Sequence, residues 1–178
     1  ANQTHVDTFT VTSLDGTTKD VSFTIHGVND AAVIGDPTVT DVTEDVAVSA
    51  GVLTAAGTIS VTDADAGQAA FQTTVLSAPG NLGGLTIDAG GAYAYTVANS
   101  AAQYLGVGEV KVDKFTVTTL DGTAKEVSFT VHGANDAPVI SLVGADSAAA
   151  GLRETDAGLV ANGHVTVTDA DANDAPAL

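Results

Sequence analysis

One 28-residue stretch occurs twice in the chain, and it has the alternation of a β-hairpin. Residues Asp7 to Ile34 read DTFTVTSLDGTTKDVSFTIHGVNDAAVI, and residues Asp113 to Ile140 read DKFTVTTLDGTAKEVSFTVHGANDAPVI. Aligned without a gap, 21 of the 28 positions are identical, at an offset of 106 residues. A second echo shares that offset: Ile59-Ser60-Val61-Thr62-Asp63-Ala64-Asp65 returns as Val165-Thr166-Val167-Thr168-Asp169-Ala170-Asp171. Two separate matches at one offset indicate a tandem repeat, with the period of a small domain rather than of a solenoid unit.

With that period, the 178 residues divide into three parts. Residues 1–31 are expected to be the last two strands of a preceding repeat. Residues 32–138 form one complete repeat, and residues 139–178 open a following one. A longer parent protein is expected. No stretch reads as a membrane span or an export leader.

Each hairpin has an inward and an outward face, because side chains alternate along a strand. Phe9 and Val11 share one face with Val21, Phe23 and Ile25 across the turn at Leu14-Asp15-Gly16-Thr17. His26 falls on the other face. The second copy repeats this with Phe115, Val117, Val127, Phe129 and Val131. Between the copies, strands are expected over Val39–Val42, Gly57–Thr62 and Phe71–Leu76, around Leu85 and Ile87, and over Tyr93–Val97. Glu44-Asp45 interrupts the first of them, and Val46 and Val48 are expected to continue it on the other sheet. Ile59 and Val61 point inward. Asn99 to Leu105 lacks β alternation and reads as a crossing loop with one helical turn. Seven or eight short strands in about 106 residues, joined by Gly/Asp turns, give an all-β, immunoglobulin-like β-sandwich in tandem repeats. No segment reads as a crossover helix.

The formal net charge is −17. Such a surface repels nucleic acid and anionic membrane, and it repels itself unless something neutralises it. Hydrophobic content of 44% with regular alternation argues for a packed core rather than disorder. Cysteine is absent, so another clamp must hold the domain ends.

Three acidic features recur with the repeat and suggest that clamp. Asn29-Asp30 lies in the linker, Glu44 in the first strand region, and Asp63-x-Asp65 at the end of the second. The corresponding set is Asn135-Asp136, Glu154 and Asp169-x-Asp171. Crowded carboxylates repel unless a hard cation joins them. Calcium fits such sets best, since it takes 6–8 oxygens from carboxylates, amides and backbone carbonyls in irregular loops. Magnesium prefers strict octahedra, and zinc or copper would want His or Cys. Asp41, Asp45, Asp146 and Asp156 are further ligand candidates. Taken singly, each Asp is an ordinary solvated turn residue, and Asp15-Gly16 and Asp121-Gly122 need no metal at all.

The run VTED (42–45), GTISVTDADAG (57–67), DAGGAYAYTV (88–97), NSAAQYL (99–105) and DKFTVT…DGT (113–123), closing in NDAPV (135–139), resembles the VCBS repeat of large bacterial, often RTX-type, surface adhesins. The resemblance implies an extender domain, repeated many times, secreted and held at the bacterial cell surface. Glu44, Asp63-x-Asp65 and Asn135-Asp136-Ala137-Pro138 also resemble the calcium motifs of cadherins. The first linker departs from this with Ala31-Ala32 in place of Ala137-Pro138, and the cadherin acidic motif of mid-domain has no clear counterpart.

The partners expected are neighbouring repeats of the same chain, with self-association in a surface fibre as a further option. No nucleic acid partner and no membrane insertion are expected. An enzyme would need a nucleophile–base pair, but Cys is absent and every His is isolated. An adhesive module binding glycan or protein is one alternative, for which Tyr93, Tyr95 and Tyr104 are the available platform. A filament subunit joined by strand complementation is another. Asn2-Gln3-Thr4 matches a glycosylation acceptor pattern.

Overall fold

The structure is a computed structural model and describes residues 3–154 and 156–173. Asn2 lies outside the described residues. The chain opens with a hairpin, β1 (Thr4–Thr12) and β2 (Thr18–His26), paired from Thr4↔His26 to Thr12↔Thr18. Its copy, β10 (Val110–Thr118) and β11 (Ala124–His132), has the same register 106 residues on, from Val110↔His132 to Thr118↔Ala124. The Asp-Gly turn sets that register in both, with Gly16 and Gly122 at positive φ.

Around the second hairpin the intervening strands build two layers. One sheet runs β4 (Asp41–Thr43), β11, β10, β7 (Leu76–Ser77). The other runs β5 (Val52–Thr58), β9 (Ala92–Ala98), β8 (Gly84–Ile87). A short pair, β3 (Val33–Ile34) with β6 (Val61–Thr62), stands at the entering end. The inward faces meet in one core of Val42, Leu53, Ile59, Phe71, Leu85, Ile87, Tyr93, Tyr95, Val97, Leu105 and the five apolar residues of the hairpin. The Tyr95 ring stacks on Phe129 at 4.7 Å, while Phe115 and Tyr93 meet the pair edge-on. The fold is an all-β sandwich of two facing sheets. Among the described residues no helix is long and apolar enough to cross a membrane.

Two polar fastenings, one buried and one at the surface, hold the layers in place. Asp113 is fully buried and accepts the backbone N–H groups of Leu82 (2.9 Å) and Gly83 (2.7 Å) and the Tyr95 hydroxyl (2.9 Å). Burial, and then this carboxylate, push the Tyr95 phenol well above its ordinary value. At the entering end Lys125 Nζ donates to the carbonyls of Ile34 and Gly35 and to Asp36 Oδ1. That lysine ties the incoming chain to β11.

The sequence expectations need three corrections between the hairpins. Val46 and Val48 do not extend the first strand inward, since both are exposed and Asp45 and Ala47 take positive φ. The strand there is Val52–Thr58, two turns later, and Leu53 and Ala55 supply the core contacts. Its alanines and glycine hide its β character, because tertiary pairing with β9 rather than side-chain propensity makes it a strand. The strand expected over Phe71–Leu76 reduces to a single bridge at Phe71 and the two residues of β7, with Leu76 exposed. Asn99–Ala101 is one 3-10 turn, as the missing alternation suggests, and Leu105 is buried beyond it.

After β11 the chain continues through Asn135–Pro138 into β12 (Val139–Ser141), which pairs with β13 (Thr166–Thr168) in the geometry of β3 and β6. The described residues between β12 and β13 are largely irregular and exposed.

Candidate cation site at the domain junctions

Both junctions are built from a linker Asn-Asp and a following Asp-x-Asp loop, and both use the same hydrogen bonds. At the first, Asn29 Nδ2 donates to the Asp30 carbonyl (2.8 Å), Asp30 N–H to Asp65 Oδ2 (2.9 Å), and Asp65 N–H to Asp63 Oδ1 (2.8 Å). At the second, Asn135 Nδ2 donates to the Asp136 carbonyl (2.8 Å), Asp136 N–H to Asp171 Oδ2 (3.0 Å), and Asp171 N–H to Asp169 Oδ1 (3.1 Å). The linker therefore crosses the loop in one fixed way, because the loop carboxylate takes up a linker N–H that strand pairing leaves unpaired.

This use of the carboxylates leaves oxygens over. Asp63 Oδ2, Asp136 Oδ2 and Asp171 Oδ1 are buried with no hydrogen-bond partner. In Asp63 and Asp171 one oxygen is pinned by a backbone N–H and the other is bare. A bare buried carboxylate oxygen is costly, and a hard cation is the partner that suits it.

Glu44 sits elsewhere than its place in the sequence suggests. The sequence grouped it with Asn29-Asp30 and Asp63-x-Asp65 at the entering junction. The parallel pairing of β4 with the end of β11, Val42↔Val131 and Thr43↔His132, carries it to the exit junction instead. There Glu44 is fully buried. Its N–H donates to the His132 carbonyl (2.9 Å) and its Oε2 accepts the Ala134 N–H (3.3 Å). Burial raises the carboxyl above its usual range; the Ala134 bond opposes this, and the charges of Asp136, Asp45 and Asp171 add to it. Asp136 is raised in the same way, by burial and then by Asp45, Asp171 and Asp169. The acids at this junction thus share one field.

By the same logic Glu154, the counterpart of Glu44, does not join Asn135, Asp136, Asp169 and Asp171. It lies exposed in the irregular segment, with no hydrogen bond among the described residues. Of the further ligand candidates, Asp45 belongs to the exit junction. Asp41 pairs with His132 Nε2 (3.0 Å), and Asp146 accepts from Thr166 and His164 inside its own segment. Asp156 is exposed.

Polar residues that were not among the ligand candidates complete the exit junction. Gln103 Nε2 donates to Glu44 Oε1 (2.5 Å) and reaches Asp45 Oδ1 (3.2 Å). Asn99 clasps Asp45 through both its amide and its carbonyl. Glu109 accepts the Gly106 N–H (3.1 Å) and the Asn173 side-chain amide. Together Gly106, Glu109, Asn135, Asp171 and Asn173 line a cleft of about 210 Å³. The sequence signals for Gln103 and Asn99 were the loss of alternation after Ala98 and the NSAAQYL run (99–105), neither of which marks them as ligands. Gly133 is required here by close approach, since a Cβ at that position would lie 2.2 Å from the Leu105 carbonyl oxygen.

A family model described as a bacterial cadherin-like domain matches residues 29–133, more than half of the chain. The chain belongs to that family. Comparison with curated proteins gives no match. The matched span of the cadherin-like domain opens on Asn29 of the first junction and ends just before Ala134 and Asn135 of the second. Among the described residues no three His, Cys, Asp or Glu side chains are grouped so as to hold a metal ion. What the junctions offer a hard cation is the three bare carboxylate oxygens, the donor type calcium takes.

Proposed function

We propose that this cadherin-like domain is a structural extender of a secreted bacterial surface protein, of the VCBS-repeat kind, rigidified by calcium at its junctions. It performs no catalysis. The observation that carries the reading is the set of bare, buried carboxylate oxygens at the two junctions: Asp63 Oδ2 at the first, Asp136 Oδ2 and Asp171 Oδ1 at the second. At the exit junction Glu44, Asp136 and Asp171, with Asn135 nearby, would hold the ion. At the entering junction Asn29, Asp30, Asp63 and Asp65 would contribute.

Calcium supplies positive charge and oxygen coordination to groups that otherwise repel. The chain's own part is to fix those groups. β4 delivers Glu44, the linker delivers Asn135-Asp136, and the next segment delivers Asp169-x-Asp171. Ligands drawn from two domains couple the stability of each to the other. Repulsion without the ion lets the joint bend. Small-angle scattering of the intact chain tests this: chelation by EDTA should shorten and broaden the distance distribution, and calcium should restore it. An unchanged distribution would remove the strut function.

A second reading has one observation in its favour. The apolar face of β1–β2 is uncovered, with Phe9, Val11, Phe23 and Ile25 exposed. That face suits assembly with complementary strands of another domain.

A further inference from the structure

The exit junction carries a contact that the recurring hydrogen bonds do not explain. Asn173 Nδ2 donates to Glu109 Oε1, Glu109 Oε2 accepts the Gly106 N–H (3.1 Å), and Ala172 N–H donates to the Tyr104 carbonyl (3.0 Å). The loop of the following segment is thereby held against the end of the sandwich by side-chain and backbone bonds together. Asp171 packs over Gly106, where even a Cβ would stand 3.7 Å from the Asp171 side chain.

The entering junction has different residues at both partner positions of this contact. At the offset of 106, Glu109 corresponds to Gln3 and Asn173 to Gly67. The backbone is the same in both places: Gly133 N–H donates to the Glu109 carbonyl (3.0 Å), and Gly27 N–H to the Gln3 carbonyl (2.8 Å). Gly67 takes φ +82° and has no side chain to be held. The two positions that form the contact have therefore changed together, while the carboxylate loop around them has not. A charged acceptor facing an amide donor is a stronger pair than two neutral groups, and a glycine cannot enter it.

We infer that Glu109 and Asn173 form a junction-specific lock. It lets the end of this domain select a following domain whose loop reads Asp-x-Asp-x-Asn, and it holds that loop without a cation. The partner is the next cadherin-like domain of the same chain. The lock fixes where the loop touches, and the carboxylates govern the angle of the joint. It stands independently of the calcium reading, because none of its hydrogen bonds involves the bare oxygens.

Amide hydrogen exchange on the intact chain in EDTA tests it, read at the Ala172 N–H. The wild type should show protection there. E109A and N173G should each lower it about threefold to tenfold, the worth of one hydrogen bond. The double variant should lose no more than either single one. Protection of the β10–β11 amides reports that the sandwich remains folded, and E109Q, which keeps an acceptor oxygen, should retain part of the effect. An unprotected Ala172 in wild type, or protection unmoved by E109A and N173G, would overturn the lock. So would a loss seen only with calcium present, which would make Glu109 a cation ligand instead.

Discussion

The two hairpins have nearly one sequence and one register, yet they live in different surroundings. Phe115 and Phe129 are 2% and 0% exposed, whereas Phe9 and Phe23, at the same positions, are 56% and 59% exposed. Asp113 is buried under three donors, while its counterpart Asp7 meets the exposed His5 (2.8 Å). Strand alternation and an Asp-Gly turn therefore give one register in both places. They do not make a core. The facing sheet β5-β9-β8 does that, and with it come the demands for shape and for satisfied polar groups. One sequence motif is thus an uncovered pair of strands in one place and half of a sandwich in the other.

The largest test of this contrast is a matched pair of truncations. F129A should cost about 3–5 kcal/mol, and F23A within about 0.5 kcal/mol, in denaturant unfolding of the intact chain. Equal effects would mean that the first hairpin is covered as the second is. Next, D113A strands two backbone N–H groups and the Tyr95 hydroxyl. It should cost about 2–3 kcal/mol against almost nothing for D7A, by the ordinary cost of unsatisfied buried donors.

The alternation, the turn chemistry and the recurrence of acids made the hairpins, the sandwich class and the linker–loop pairs legible in sequence. Tyr93, Tyr95 and Val97 on one face, and Phe115 with Phe129, could be placed in the core for the same reason. What stayed hidden depends on long-range pairing. Val52–Thr58 is rich in Ala and Gly and becomes a strand only through β9. Glu44 reaches the exit junction only because β4 joins β11 in parallel, and no local pattern announces that choice. Glu109 and Gln103 are single polar residues whose roles exist only once the chain has folded back on them.

The two junctions extend the comparison. Ala32 N–H at the first donates to Asp121 Oδ2 (3.0 Å), whereas Pro138 at the matching place of the second has no N–H to give. The Glu44 substitution should separate the exit junction from the entering one. Glu44 is raised in the fold, so its ionised form weakens the ion-free protein as pH rises through the folded value. E44Q should therefore raise the melting temperature in EDTA at pH 7 by a few degrees, about 1 kcal/mol. In calcium it should lower it. An opposite pH effect belongs to Asp121. Its carboxyl is held well below the usual range by Thr119, Thr123 and the Ala32 N–H. The stability it gives is present above pH 4 and is lost as the pH falls toward the folded value. D121N should flatten that part of the acid-unfolding curve and leave pH 7 nearly unchanged in slope.

Calorimetric titration of the intact chain with calcium, beside D171N and E44Q, tests the central claim most directly. The account predicts saturable binding, with one class of site lost or much weakened in both variants, and no comparable response to magnesium. Absence of binding by the wild type, or binding that both variants leave intact, would contradict it.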